Sequence, residues 1–132
     1  MPWQTYDLDR IAQRLVLDAR KRDHDSLNQG HKMRMTTAYG LERFWGEQLR
    51  LVNRDRHKAT YWQAVWTELV RIMQRAGVTV PNHQVDPNNE AQIREMAQAL
   101  WAMNLEDQRI TLAVLTALCD AIVWWTQRYR YK

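Results

Sequence analysis

The sequence predicts an all-α fold, a compact bundle of about five helices that forms a single domain over residues 1–132. Apolar residues recur at spacings of three and four along most of the chain, which is the period of an amphipathic helix. Only four Gly and three Pro occur among the 132 residues, too few for the turns of a β-sandwich or barrel. Residues 78–80 alone have strand character, and they have no partner strand. With 45% hydrophobic and 26% charged residues, the composition fits a soluble globular domain.

The first helix is predicted to begin at Asp7, a residue type that caps helix N termini. Its apolar stripe is formed by Leu8, Ile11, Ala12, Leu15, Val16 and Ala19. The periodic pattern fades around residues 26–30, which are predicted to form a loop.

Residues 32–53 form a second helical region with two interruptions. Gly40 and Gly46 lie within it, and a helix-interior Gly costs about 1 kcal/mol relative to Ala. Either the glycines allow close packing against a neighbouring helix, or a break near Gly40 divides the region into two short helices. Both alternatives remain open from the sequence. Residues 53–58 are polar and basic and are predicted to form a loop or a frayed helix end.

The third helix has the clearest boundaries. Thr60 and Gln63 match a capping box at its start, and Gly77 occupies the position of a C-terminal cap. The following residues, 78–89, include Pro81 and Pro87 and are predicted to form the long loop of the domain.

The fourth helix is predicted to start near Asn88 or Asn89, and Asn104 either ends it or marks a tight turn. The fifth then runs from about residue 105 to residue 128. Its apolar residues cover nearly its whole circumference. Such a helix is either central in its bundle or buries its second face against a partner.

Positive charge is concentrated in the first part of the chain. Residues 1–76 hold fourteen Lys or Arg against nine Asp or Glu, whereas residues 77–132, the neutral to slightly acidic half, hold five against six. Fifteen of the nineteen basic residues are Arg, which favours planar contacts with phosphate or carboxylate and stacking on aromatic rings.

One basic segment is a candidate nucleic-acid surface. A continuous helix would align Arg43, Arg50 and Arg54 as a ridge able to follow a phosphate backbone, while Tyr39 and the tail residues Tyr129 and Tyr131 could stack on bases. The alternative is a solvated face of a basic protein. The predicted nucleic-acid-binding residues are Lys32, Arg34, Arg43, Arg50, Arg54, Arg56 and Lys58.

The chain contains seven Trp, and most of those in predicted helices are expected in the core. The helical ones are Trp45, Trp62, Trp66, Trp101, Trp124 and Trp125. Adjacent Trp124 and Trp125 point about 100° apart, so both are buried only if the helix is enclosed on two sides. Because Trp is enriched at protein interfaces, Trp124, Trp125 and the nearby Tyr129 are predicted to bind a partner.

No catalytic, cofactor or metal site is predicted, and the protein is expected not to be an enzyme. The lone Cys119 excludes a disulfide framework and a Cys-based zinc site, and its apolar helix predicts a buried, unreactive thiol. The four His residues fall in polar segments without metal-ligand spacing. Because the N terminus lacks signal-peptide features and no apolar run has membrane-span length, a cytoplasmic protein without membrane contact is expected.

Two segments resemble a known family. Residues 107–112, followed by Leu115, Leu118, Trp124-Trp125 and Arg128, resemble the last helix of the small all-helical subunit of Cmr-type CRISPR RNA-silencing complexes. Tyr39-Gly40-Leu41 followed by Phe44-Trp45 loosely resembles that family's internal Gly-Leu and aromatic helix. The resemblance implies a non-catalytic antiviral ribonucleoprotein subunit whose basic face lies along the guide–target duplex. The contacting residues it implies are Lys32, Arg34, Arg43, Arg50, Arg54 and Arg56.

Two classes of function are therefore carried forward. In the first, the protein is a basic helical subunit of a nucleoprotein assembly that contacts RNA or DNA. In the second, it is a protein–protein interaction module or small regulator that docks other subunits, including copies of itself, through its Trp-rich C-terminal helix.

Overall fold

A computed structural model describes the backbone of residues 5–130 and the side chains of residues 7–130. This part of the chain contains no strand, and the all-α prediction is confirmed. The 3-10 turns His24–Asn28 and Thr37–Tyr39 flank the second helix. The α-helices of the described residues are α1 (Thr5–Arg22), α2 (Gln29–Thr36), α3 (Leu41–Val52), α4 (Arg56–Arg75), α5 (Glu90–Trp101) and α6 (Leu105–Tyr129).

The predicted starts of two helices are wrong. Helix α1 begins at Thr5, so Asp7 lies in its first turn instead of capping it. Helix α4 begins at Arg56, after Asp55, whose carboxylate accepts the backbone N–H of Lys58 at 3.2 Å. The predicted capping box at Thr60 therefore lies inside α4, and residues 56–58, predicted to be loop, form its first turn.

The boundaries of the last two helices agree with the predictions. The side chain of Asn89 caps α5 by accepting the N–H of Gln92 at 3.1 Å. Asn104 caps α6 in the same way, through the N–H of Asp107 at 2.8 Å. Both contacts satisfy backbone donors that have no partner within the first helical turn.

The second helical region is divided at Gly40. This residue has φ 98° and ψ 175°, a conformation available essentially only to glycine. Gly46 lies inside α3, where an added Cβ would make only ordinary contact, 3.6 Å from Glu42 Oε2. The break near Gly40, and not close packing at Gly46, is therefore the correct alternative.

Close helix packing occurs instead at Gly30, in a segment predicted to be a loop. Gly30 lies in α2, and an added Cβ would be 3.1 Å from Thr126 Oγ1 on α6. The missing side chain lets the two helices approach each other at this point.

Helix α4 ends as predicted, and the long loop follows it. Gly77, with φ 84°, donates its N–H to the carbonyl of Gln74, and Val78 donates to Met73 at 2.9 Å. These two bonds form a Schellman motif, which satisfies carbonyls at the helix end. The loop is then held to α4 because Trp66 Nε1 donates to the carbonyl of Pro81 at 3.1 Å.

The core is built around one face of α4. Tyr61, Trp62, Val65, Trp66 and Leu69 on this face are almost completely buried. Residues of α3 cover the two indoles, with the rings of Phe44 and Trp62 centred 4.7 Å apart. Helix α6 packs along α1 and also contacts α2 and α4.

Two buried polar contacts join helices across the core. Trp62 Nε1 donates to Gln29 Oε1 at 2.9 Å, which joins α4 to the start of α2. The largely buried carboxylate of Glu68 accepts from Arg14 at 2.6 Å and from Arg71 at 3.1 Å. An unpaired carboxylate would be costly at this depth. Arg14 joins α1 to α4 through this carboxylate, while Arg71 pairs with it from the next turn of α4.

The glycines of the second region predict opposite effects of the same substitution. Gly46→Ala should raise the free energy of unfolding by about 0.5–1 kcal/mol, because Gly is unfavourable inside a helix. Gly40→Ala should lower it by about 1–3 kcal/mol, since Ala adopts this backbone conformation only under strain. No atom lies within 4 Å of an added Cβ at Gly40, so a steric clash does not contribute. Urea unfolding of both variants measures the difference, and equal effects would contradict a break at Gly40.

Candidate nucleic-acid interface

The basic residues of the second and third helices surround α3 but do not form the predicted continuous ridge. Arg43 and Arg50 are seven residues apart on one side of α3. The helix ends at Val52, and Arg54 lies in the following turn, where its N–H contacts the carbonyl of Leu51 at 2.9 Å. Arg56 and Lys58 then lie in the first turn of α4.

Several of these cations are already paired with carboxylates. Glu47 accepts from Arg50 and also lies 4.0 Å from the ammonium of Lys32. Hydrogen bonding to Glu47 raises the pKa of Arg50 above its ordinary value. Lys32 and Arg50 thus share a single negative charge, and the structure brings α2 and α3 together there.

Two further cations face other partners. Arg34 Nε donates to Asp120 on α6 at 2.5 Å. Its guanidinium therefore lies between α2 and α6 and not beside Arg43 and Arg50 of α3. Lys58 Nζ lies 3.6 Å from the carboxylate of Asp55, within the same turn. Both pairs are solvent-accessible, where an ion pair contributes about 0–1 kcal/mol.

The remaining cations are exposed without a carboxylate partner in the described part of the chain. Arg54 and Arg56 flank the turn between α3 and α4, and we call these two residues the basic corner. Arg43 lies over the ring of Tyr39, with its guanidinium carbon 5.9 Å from the ring centre. Their positive charge is directed at solvent and is available to an anionic partner.

Exposed aromatic side chains lie beside Arg43, near the start of α3. Tyr39 and Trp101 are 69% and 64% exposed, and both line a recess of about 320 Å³ together with Arg43 and Gln108. We call this site the aromatic recess. The sequence left open which helical Trp residues are exposed, and the structure exposes Trp101 and Trp124 and buries Trp45, Trp62 and Trp66.

The three predicted partner-binding residues differ in exposure. Trp124 is 53% exposed, and Arg128 lies 5.3 Å from its ring. Trp125 is half-buried and stacks on Tyr129 at 5.9 Å. The hydroxyl of Tyr129 accepts from Gln13 on α1 at 2.9 Å, so these two rings pack against the bundle. The tail residue Tyr131 lies outside the described residues.

Helix α6 has an exposed side opposite its core side. The core side is formed by Thr111, Val114, Leu115, Leu118, Cys119, Ile122 and Thr126. The opposite side, which we call the open face, is formed by Glu106, Ile110, Ala113, Ala117, Ala121, Trp124 and Arg128. All seven are exposed or partly exposed, and five are apolar. The described residues 7–130 therefore leave this side of the helix uncovered.

The composition of α6 is also sufficient for a membrane span. Its most apolar 18-residue window has a mean hydropathy of 1.4, although no uninterrupted apolar run in it reaches membrane-span length. Core helices of globular proteins can have the same length and hydropathy. In the structure, α6 packs on α1, α2 and α4, and 39% of that window is buried.

The titratable groups most isolated from solvent do not form a reactive centre. Cys119 is fully buried, and burial raises the pKa of its thiol to about 12. Burial also raises the pKa of Tyr61, so both groups stay neutral at physiological pH. Within residues 7–130, no three His, Cys, Asp or Glu side chains are close enough together to hold a metal ion.

Comparison with protein-family models, curated proteins and solved structures finds no significant match to this chain.

The buried thiol predicts resistance to modification. At pH 8, Cys119 in the folded protein should react with a disulfide reagent at least about a hundredfold more slowly than in urea, since the thiolate is the reactive form. Absorbance of the released thiol measures both rates. Rapid reaction without unfolding would contradict the burial of Cys119.

Proposed function

We propose that the protein is a non-catalytic helical subunit of a nucleoprotein assembly that contacts RNA or DNA through its Arg-rich face. The observation that supports this most strongly is the aromatic recess. Tyr39 and Trp101 expose their rings there beside Arg43. Exposed aromatic rings next to a basic groove are the usual features of proteins that bind single strands, because every base has a face that can stack.

The charges beyond the recess supply the contacts to the backbone. Arg50 follows Arg43 along α3, and the basic corner lies past the end of that helix. A nucleic-acid strand with one base stacked in the recess would place its phosphates along Arg50 and the basic corner. Each Arg guanidinium group there can donate two hydrogen bonds to one phosphate. Glu47 competes for Arg50 and Lys32, so the basic corner should contribute most of the salt dependence.

The resemblance to the small subunit of Cmr-type CRISPR complexes is consistent with this role. It involves Tyr39-Gly40-Leu41, which line the aromatic recess, and the end of α6 at Trp124-Trp125. On this basis we propose a cytoplasmic RNA-silencing complex as the setting, with other protein subunits as neighbours and with no cofactor.

A second candidate function is favoured by a different observation. The open face of α6 presents Ile110 and Trp124 to solvent along one helix. An exposed apolar face of this kind marks a protein-interaction surface, so the chain is also proposed to act as a docking module through α6.

The basic corner predicts a change in salt dependence. Replacing Arg54 and Arg56 with Ala should weaken single-strand binding and make the slope of log K against log salt shallower by about 1.4, or about 0.7 for each lost phosphate contact. Fluorescence anisotropy with labelled single-stranded and duplex RNA and DNA, across a KCl series, measures the slope.

The matched control is the double variant Arg75→Ala/Arg94→Ala. Both residues are exposed and belong to neither α3 nor the turn after it, with Arg75 at the end of α4 and Arg94 on α5, and the variant loses the same total charge. If both double variants change the slope equally, binding depends on net charge alone, and the proposed interface is wrong.

If bases stack in the aromatic recess, removal of its rings should lower single-strand affinity by an amount that does not depend on salt concentration. Tyr39→Ala/Trp101→Ala should reduce single-strand affinity by about ten- to a hundredfold, since stacking of one base contributes about 1–3 kcal/mol. The salt slope and duplex affinity should change little. Trp101→Phe should retain most of the affinity in the same anisotropy assay, because a phenyl ring still stacks.

Met35→Ala provides the comparison, because it removes a large side chain that is 70% exposed and belongs to neither proposed surface. Unchanged single-strand affinity in the recess variant, or an equal loss in Met35→Ala, would contradict stacking in the recess.

A further inference from the structure

The open face of α6 is arranged symmetrically about Ala117. Ala113 and Ala121 lie four residues from it on either side, Ile110 and Trp124 seven residues, and Glu106 and Arg128 eleven residues. At about 100° per residue, each of these offsets returns to within about 40° of the same side of the helix. The seven side chains therefore form one straight stripe with Ala117 at its midpoint.

We propose that this stripe binds a second copy of the chain, with the two α6 helices antiparallel and crossing at Ala117 on a two-fold axis. This inference rests on the second candidate function and names its partner. In such a pair, Ala113 meets Ala121 of the second copy, and Ile110 meets Trp124 of the second copy. One patch then contacts itself, as a closed two-fold interface requires.

The charges at the two ends of the stripe identify the partner and its direction. Glu106 and Arg128 are both exposed, and neither pairs with an opposite charge among the described residues; Arg128 lies only over the rings of Trp124 and Trp125. Antiparallel pairing places each Glu106 beside Arg128 of the other copy. Parallel pairing would place like charges together, which disfavours association.

The alanines determine how closely the helices can approach. With Ala113, Ala117 and Ala121 at the crossing, an interaxial distance near 8 Å, the short end of the usual range, is sterically allowed. The stripe from Glu106 to Arg128 is only about 33 Å long, at 1.5 Å per residue. It buries less area than a standard interface, so we expect a concentration-dependent dimer in the micromolar range.

Sedimentation equilibrium of the whole chain without nucleic acid tests the proposal. The wild type should shift with concentration from the 15.9 kDa of one chain to twice that mass. Ala117→Glu should raise the dimer Kd by about tenfold or more, because two carboxylates would face each other on the axis. Ala117 is exposed, so the fold should persist, and circular dichroism checks this. The matched control, Ala91→Glu at an exposed position of α5, should leave the Kd unchanged.

A charge reversal tests the direction of pairing. Glu106→Arg and Arg128→Glu should each raise the dimer Kd by about tenfold, since each change occurs twice across the axis. The double variant should recover to within about threefold of the wild type, because the opposite charges again meet.

Three results would overturn the proposal. The first is a wild type that stays monomeric at every concentration up to about ten times the expected micromolar Kd. This result would overturn the proposal even if the monomer binds phosphatidylglycerol vesicles or another protein. The second is a dimer that Ala117→Glu does not weaken. The third is a double charge variant no tighter than the single variants. The readout is mass without nucleic acid, so it is independent of the anisotropy assays: failure of either proposal leaves the other measurable.

Discussion

A hydrogen bond between two buried polar groups determines where the second helix lies, and much of the remaining structure depends on that position. Trp62 and Gln29 are 1% and 5% exposed, and the indole N–H donates to the carboxamide at 2.9 Å. Leaving such a donor unpaired would cost about 1–3 kcal/mol. Helix α2 is only eight residues long and mostly polar, so this bond, the close approach of Gly30 to α6 and the buried Met33 together hold it in place.

The position of α2 has consequences on both sides of the bundle. On one side, α2 covers an edge of α6 and is joined to it by Arg34 and Asp120, while α1 covers another edge. The side of α6 that faces neither helix remains in solvent. On the other side, the chain leaves α2 and turns sharply at Gly40, which places Tyr39 outside the core and beside Trp101. One buried bond thus contributes to both candidate surfaces.

Much of this fold follows from local rules, and the errors show where those rules stop. Helix periodicity and the asparagine caps of α5 and α6 depend on residues close in sequence, and they were predictable. The start of α4 was not, because Asp55 and Thr60 both suit a cap, and the burial of Ala59 and Tyr61 favours the earlier one. The exposure of Trp101 was not predictable, because periodicity indicates a helical face without showing whether another helix covers it.

The candidate site shows the same division. Positive charge along residues 32–58 was visible in the sequence, but its neutralisation was not, since Arg34 meets Asp120 eighty-six residues away and Lys32 meets Glu47 on another helix. Only tertiary structure separates the paired cations from the unpaired basic corner. Gln108 lines the recess from α6. In the sequence it is only a polar residue in the first turn of a helix, so nothing indicates that role.

The two proposed surfaces are compatible because they lie on different sides of α6. Gln108 lines the aromatic recess, and its nine-residue separation from Ala117 places it about half a turn away from the open face. Pairing through the open face therefore leaves both recesses of a dimer accessible. Two linked sites on one strand bind more tightly than one, since the second contact forms at the high effective concentration set by the first. A weak dimer and a weak single-strand site would in this way reinforce each other, because nucleic acid that spans both copies favours the paired state.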